Sequence, residues 1–211
     1  MVSYKQYQDR WLQQQAVYSP SELTILGYQV MQDWESQYMK RLAEIATSQG
    51  GHVLEVGFGL GISAGFVQAS PAIHKHTVIE AHPEVVKFAR TRFNQNIAAG
   101  KMEILNSFWE DATRDLPDAS FDGILFDTCP LHQETVFFHY FPFFPEAYRL
   151  LRPNGIFTYF SDEPREISAD HERLLRQAGF QQIDFEVVPV TPPADCRYWT
   201  HNTIVAPIIR K

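Results

Sequence analysis

Two carboxylates set the chemical question in this chain. Asp127 ends the apolar run Ile124-Leu125-Phe126 and enters the turn Thr128-Cys129-Pro130. Glu35 lies far upstream, inside a stretch with helical spacing. An acid at the end of an apolar strand is costly unless it has a partner or a task. A carboxylate that a sheet delivers to its ligand-binding edge can hold N–H donors or take a proton from a reacting group. Each acid has a plainer reading. Asp127 could cap the Thr-Cys-Pro turn, and Glu35 alone could sit on a solvated helix face.

A second group of residues concerns a ligand. Gly57, Gly59 and Gly61 follow an apolar strand and open a helix. The dinucleotide fingerprint G-x-G-x-x-G does not fit G-F-G-L-G-I-S-A-G, and Phe58 crowds the place of a pyrophosphate. Glu80 ends the next strand, where an acid binds a ribose diol or is simply a solvated terminus. Trp109 and Glu110 follow the third strand. Trp109 could cover an adenine face and Glu110 accept from its amine, or Trp109 is an ordinary buried ring. Glycine loop plus strand-end acid points to a nucleoside without a pyrophosphate. S-adenosylmethionine matches that description.

These residues need a scaffold at fixed strand ends. The stretches HVLEVGFG, HTVIEAH, KMEIL, FDGILFD and GIFTYF are short apolar runs. Helical spacing separates them at residues 62–68, 84–99 and 134–151. Alternation of that kind implies parallel pairing and an α/β, doubly wound, Rossmann-like sheet. The last two runs, FQQIDFEVVPV and RYWTHNTIVAPIIRK, have no room for a helix between them and imply an antiparallel pair at one edge. Ahead of the sheet, residues 4–15 read as a helix. Ser19-Pro20-Ser21-Glu22 reads as a helix start, and a further helix is expected from Met31 to Thr47. These assignments give an N-terminal helical cap over residues 1–49 and a cofactor-binding core over residues 50–211.

Composition closes off other classes. The net charge is −7 with no basic run, which argues against nucleic acid as a partner. Cys129 and Cys196 have no metal-type spacing, and His132, His139 and His171 are scattered, so neither a metal set nor a nucleophilic triad is expected. No apolar run reaches membrane-spanning length and the first residues do not read as a signal peptide. The expectation is a cytoplasmic protein, monomeric or homodimeric.

Seven segments in order resemble the guanidinoacetate N-methyltransferase family and its arginine N-methyltransferase 2 group. They are ILGYQVMQDWESQYM (25–39), GGHVLEVGFGLGIS (50–63), VIEAH (78–82), FWED (108–111), FDGILFDTCPL (121–131), LLRPNGIFTYF (150–160) and PPADCRYW (192–199). The resemblance implies a class I methyltransferase that uses S-adenosylmethionine and releases S-adenosylhomocysteine. It implies that Met31 and Met39 flank the cofactor. Gly57, Phe58, Gly59, Leu60, Gly61, Ile62 and Ser63 would cradle its methionine end. Glu80, Ala81 and His82 would hold the ribose side, Trp109 and Glu110 the adenine, and Trp11 could add an N-terminal contact. Glu35 and Asp127 would grip the guanidino group of a small substrate, such as guanidinoacetate or free arginine.

The chain departs from the family after TYF, where it reads SDEPREISADHERLL. Asp162 and Glu163 would repel a substrate carboxylate. Arg165, or backbone amides around Ser161 to Glu163, would receive the substrate's far end. Two rival readings accompany this one: a methyltransferase acting on a carboxylate or hydroxyl of a small metabolite, and a non-catalytic cofactor-binding protein.

Overall fold

Residues 4–129 and 141–211 are described in a computed structural model. The chain begins with α1 (Tyr4–Leu12), followed by three short strands, β1 (Ala16–Tyr18), β2 (Glu22–Ile25) and β3 (Tyr28–Gln32). A 3-10 turn over Asp33–Glu35 leads into α2 (Ser36–Thr47). Alternation of strands and helices then follows: β4 (Gly51–Val56), α3 (Ile62–Ala69), β5 (Ile73–Glu80), α4 (Pro83–Arg92), α5 (Asn94–Ala98), β6 (Met102–Asn106) and α6 (Trp109–Ala112). The remainder is β7 (Phe121–Phe126), α7 (Phe144–Leu150), β8 (Leu151–Tyr159), α8 (Ala169–Ala178), β9 (Gln182–Pro189) and β10 (Thr203–Arg210).

The main sheet has seven strands in the order β6-β5-β4-β7-β8-β10-β9. Strands β6 through β8 are parallel. β10 is antiparallel to both β8 and β9, so the last strand enters between its two predecessors. The expected α/β doubly wound sheet and its antiparallel edge pair are both present. The chain steps outward from β4 to β5 to β6, then returns to the other side of β4 with β7. The topological switch point therefore falls between β4 and β7, at the edge where open α/β sheets bind ligands.

Strand side chains alternate between two cores. One face, with Val53, Leu125, Ile156 and Ala206, packs against α2. The other, with Leu54, Ile124, Phe126 and Phe157, packs against α7 and α8. Phe126, Phe143, Phe144, Phe157 and Phe180 are all fully buried there, and each such ring contributes roughly 1.5–3 kcal/mol. Gly123 lets α2 lie close on β7: a Cβ there would stand 1.8 Å from the Ala46 carbonyl oxygen.

The N-terminal segment differs from the expected all-helical cap. Only α1 and α2 are helical, and α2 begins at Ser36, five residues after Met31. Between them lies a three-stranded antiparallel sheet. The Ser19 hydroxyl accepts the amide N–H of Glu22 at 3.0 Å, as a helix cap would, but it closes a turn into β2. Leu26 and Gly27 both have left-handed φ, 55° and 75°, the pattern of a type I′ hairpin turn. The alternation in Glu22–Ile25 and Tyr28–Gln32 outweighed the cap signal. α8 was not expected; Ser168 precedes it and left-handed Gly179 ends it. The expected helix over 134–151 is seen as α7, and its earlier part lies outside the described residues, as do Pro130, His132 and His139.

Candidate active site

At the switch point, Gly57 follows β4 and Asp127 follows β7. The Asp127 amide donates to Val56 O at 2.8 Å and the Gly57 amide to Ile79 O at 2.9 Å. Gly57 has φ 89°, and a Cβ there would meet the Asp127 carbonyl oxygen at 1.8 Å. Only glycine lets the loop and the strand end share this edge.

A cavity of about 340 Å³ opens beside them. Its floor is Val56, Gly57, Phe58, Gly59 and Asp127, with Glu80 and Ala81 from the end of β5. Trp109 and Glu110 form one side. Its roof comes from the N-terminal segment: Tyr4 and Trp11 of α1, and Leu23, Ile25, Val30 and Met31 of the hairpin. Gly59 fits under Met31, whose sulfur would lie 2.8 Å from a Cβ at that glycine.

The cavity has the polar groups a nucleoside needs. The Glu80 carboxylate is held by the amide N–H groups of Phe58 (3.0 Å) and His82 (2.7 Å), which fix its orientation at the cavity wall. Burial pushes its pKa up, while those amides pull it down. Glu110 accepts the Tyr4 hydroxyl at 2.6 Å through one oxygen. Its other oxygen is buried with no hydrogen-bond partner. An unsatisfied buried acceptor beside Trp109 fits an amine-bearing aromatic ring. Trp109 is itself fixed edge-on against Phe126 and Phe143.

Other expected contacts lie off the cavity wall. Met39 is fully buried in the core under α2. His82 is buried, and its Nε2 lies 2.8 Å from the Gln14 carbonyl oxygen, so it anchors the chain after α1. Leu60, Gly61, Ile62 and Ser63 continue the loop into α3 behind the cavity. The Ser63 hydroxyl donates to buried Glu55.

Glu35 ends the 3-10 turn before α2; it does not line the cavity itself, but it lies near enough to Asp127 to feel its charge. It is 2% exposed, and its Oε1 accepts the Gln32 amide at 2.9 Å and the Tyr198 hydroxyl at 2.5 Å. Tyr198 stacks on Trp34, with ring centroids 5.9 Å apart. Tyr198 lay within PPADCRYW, but that spacing gave no sign of a hydroxyl aimed at Glu35. Burial pushes the Glu35 carboxyl well above the usual carboxylate range, and the charge of Asp127 pushes it further. Asp127 is pushed up too, by burial and by Glu55. Asp162 is raised to about 7 by burial, then by Asp127 and Glu163. Among the described residues no Lys or Arg pairs with Glu35, Asp127 or Asp162.

Segment 161–165, where the substrate's far end was expected, follows directly on β8. Ser161 is buried and donates to Val205 O at 2.8 Å, and the Glu163 amide is spent on the Ser161 hydroxyl at 3.2 Å. Glu163 lies 3.4 Å from His171 Nε2, and Arg165 is exposed.

The profile of the guanidinoacetate N-methyltransferase family matches residues 2–164. Protein arginine N-methyltransferase 2 of Neurospora crassa is 30% identical over 95% of this chain and 53% of its own length. The same-named protein of Eremothecium gossypii is 34% identical over 74% of this chain and 38% of its own. The chain thus spans about half, or less, of these relatives. Spermidine synthase from Thermotoga maritima has the same fold, with a TM-score of 0.67 at 17% identity over 93% of this chain and 72% of its own. TYW2 of P. horikoshii, solved in complex with MeSAdo, gives a TM-score of 0.61 at 16% identity over 94% and 71%. The matched profile, over most of the chain's length, places this chain in the guanidinoacetate N-methyltransferase family.

Proposed function

We propose that the chain methylates a nitrogen of the guanidino group of a small molecule. One observation carries this reading. Glu35 is buried, Asp127 lies near enough for its charge to raise Glu35 further, and among the described residues no Lys or Arg pairs with either acid. Buried carboxylates are retained where they are paired or where a ligand pairs them. A guanidinium supplies the missing charge and a flat array of N–H donors.

Glu80, Glu110 and Trp109 would hold the nucleoside of S-adenosylmethionine, and the glycine loop its amino-acid end. That cofactor supplies an electrophilic methyl group. Glu35, braced by Tyr198 and the Gln32 amide, fixes the plane of the acceptor. Asp127, on the cavity floor, accepts the proton that the nitrogen loses as it gains a substituent. A guanidinium has a pKa of about 12.5–13.8, so it is not deprotonated in advance. Its nitrogen becomes acidic only as the lone pair is drawn away, which is when a nearby carboxylate is useful. The same acids disfavour a carboxylate acceptor, through like-charge repulsion.

The test is a panel of small guanidino, carboxylate and hydroxyl compounds with S-adenosylmethionine, read by mass spectrometry for the gain of one methyl group. Guanidino compounds should be methylated and the others not. Asp127→Asn should lower kcat by about 10²–10⁴-fold, as expected for loss of a general base, with cofactor affinity retained. Turnover of carboxylates alone, or an Asp127→Asn enzyme with near-normal kcat, would overturn the reading.

A further inference from the structure

Asp162 follows β8 at the carboxyl edge of the sheet, next to the strand that ends on Asp127. β7 and β8 are parallel neighbours, with Phe126 opposite Tyr159 and the Phe160 amide donating to Phe126 O at 3.0 Å. Asp127 and Asp162 thus leave adjacent strands at the same carboxyl edge. The backbone turns at Asp162 with a left-handed φ of 55°, rare for a residue with a side chain. The turn is stitched to β10 on both sides. Ser161 donates to Val205 O at 2.8 Å, the Val205 amide donates to Glu163 O at 2.7 Å, and Thr203 donates to Pro164 O at 2.7 Å. Two groups that could hold an anion here, the Ser161 hydroxyl and the Glu163 N–H, are engaged within the fold. What remains toward Asp127 is another carboxylate. Asp162 and Asp127 repel each other, and burial makes that repulsion felt.

We infer that Asp162 determines specificity, and that the acceptor is a guanidino compound whose tail carries a positive charge rather than a carboxylate. This rests on the guanidino reading above and narrows it. A monocationic acceptor offsets one of the three carboxylate charges and leaves two. An anionic tail adds a further like charge beside three acids. A cationic tail offsets a second of the three acid charges, at Asp162, while the guanidinium offsets one of the pair Glu35 and Asp127.

A matched series tests it: 4-guanidinobutylamine, butylguanidine and 4-guanidinobutanoate share one chain length and differ only in tail charge. With the intact protein, kcat/KM should fall in that order, by about tenfold or more from first to last, the scale on which like-charge juxtaposition discriminates. Asp162→Asn keeps the shape and tolerates left-handed backbone, so the turn survives. That variant should shrink the ratio of cationic to anionic turnover by about tenfold. Binding of S-adenosylhomocysteine, followed by calorimetry, checks that it is folded. Preference for the anionic tail in the unmodified protein, or an unchanged ratio in Asp162→Asn, overturns the tail inference and leaves the guanidino reading standing. No methylation of any of the three, with S-adenosylhomocysteine still bound, overturns both.

Discussion

Asp127 was legible from sequence because burial of an acid costs free energy, so an acid that ends an apolar strand has a purpose; Glu35 was marked only by the family resemblance. Tyr198 was not legible, because it reaches Glu35 from 163 residues away and nothing local marks it. The titration of the acids gives a prediction at this scale. Burial raises Glu35, Asp127 and Asp162 above the ordinary carboxylate range near pH 4, Asp162 to about 7. Between those limits the folded chain holds protons that the unfolded chain has released. Stability with respect to pH then has a negative slope: it is fully present below about pH 4 and lost as pH rises through about 7. Without ligand, the part of the stability profile due to these groups should therefore fall from about pH 5 to about pH 8, and Asp127→Asn should flatten it. Urea midpoints across that range, for both proteins, measure it. An Asp127→Asn profile as steep as that of the unmodified chain would mean that Asp127 is ionised throughout.

The strands were the most legible elements and the N-terminal segment the least. Parallel strands buried on both faces leave continuous apolar runs, such as Val53–Val56 and Ile124–Phe126, and nothing else competes for that pattern. Ser19-Pro20-Ser21-Glu22 carried a cap signature that a turn satisfies equally well, and the turn prevailed because Leu26-Gly27 closes a hairpin. Less visible still is how the glycine loop is held. Glu55 of β4 and His76 of β5 are fully buried, with His76 Nε2 2.9 Å from Glu55. Glu55 accepts the Ser63 hydroxyl in the first turn of α3, and His76 Nδ1 lies 3.1 Å from Gln68 of the same helix. This chain ties both ends of α3 to two strands and so fixes the loop before it. His76→Gln keeps a polar side chain but loses one of the two ring contacts. It should weaken S-adenosylmethionine, seen as a raised KM, while kcat at saturation changes little, because no atom of His76 lines the cavity. Proportional loss of kcat with unchanged KM would refute the positioning role. A larger rise in KM for His76→Ala than for His76→Gln would support it.

At the scale of the molecule, the cavity is a joint between two parts of the chain. The sheet supplies its floor, and residues 4–31 supply its roof. The roof is pinned at three places around the opening. Tyr4 donates to Glu110 at 2.6 Å, the Ala16 amide donates to Glu84 at 2.7 Å, and His82 lies 2.8 Å from Gln14 O. Trp11, buried and edge-on to His82 at 6.1 Å, fills the space between. Those contacts are long-range and mostly polar to backbone, which is why sequence spacing gave α1 no more than one uncertain tryptophan. A ligand that touches floor and roof together ties the two parts by mass action. At a concentration of S-adenosylhomocysteine 100 times its Kd, the folded state gains about 2.7 kcal/mol. For a chain of this size that is a rise in midpoint of roughly 5–11 °C, at about 2–4 °C per kcal/mol. Trp11→Ala removes roof without touching Glu80, Glu110 or the glycine loop. Its unliganded midpoint should drop, as for loss of a buried aromatic ring, and the ligand-induced rise at the same concentration should shrink because Kd increases. If the rise is as large in Trp11→Ala as in the unmodified chain, α1 covers the cavity without contributing to the bound state, and the roof is packing alone.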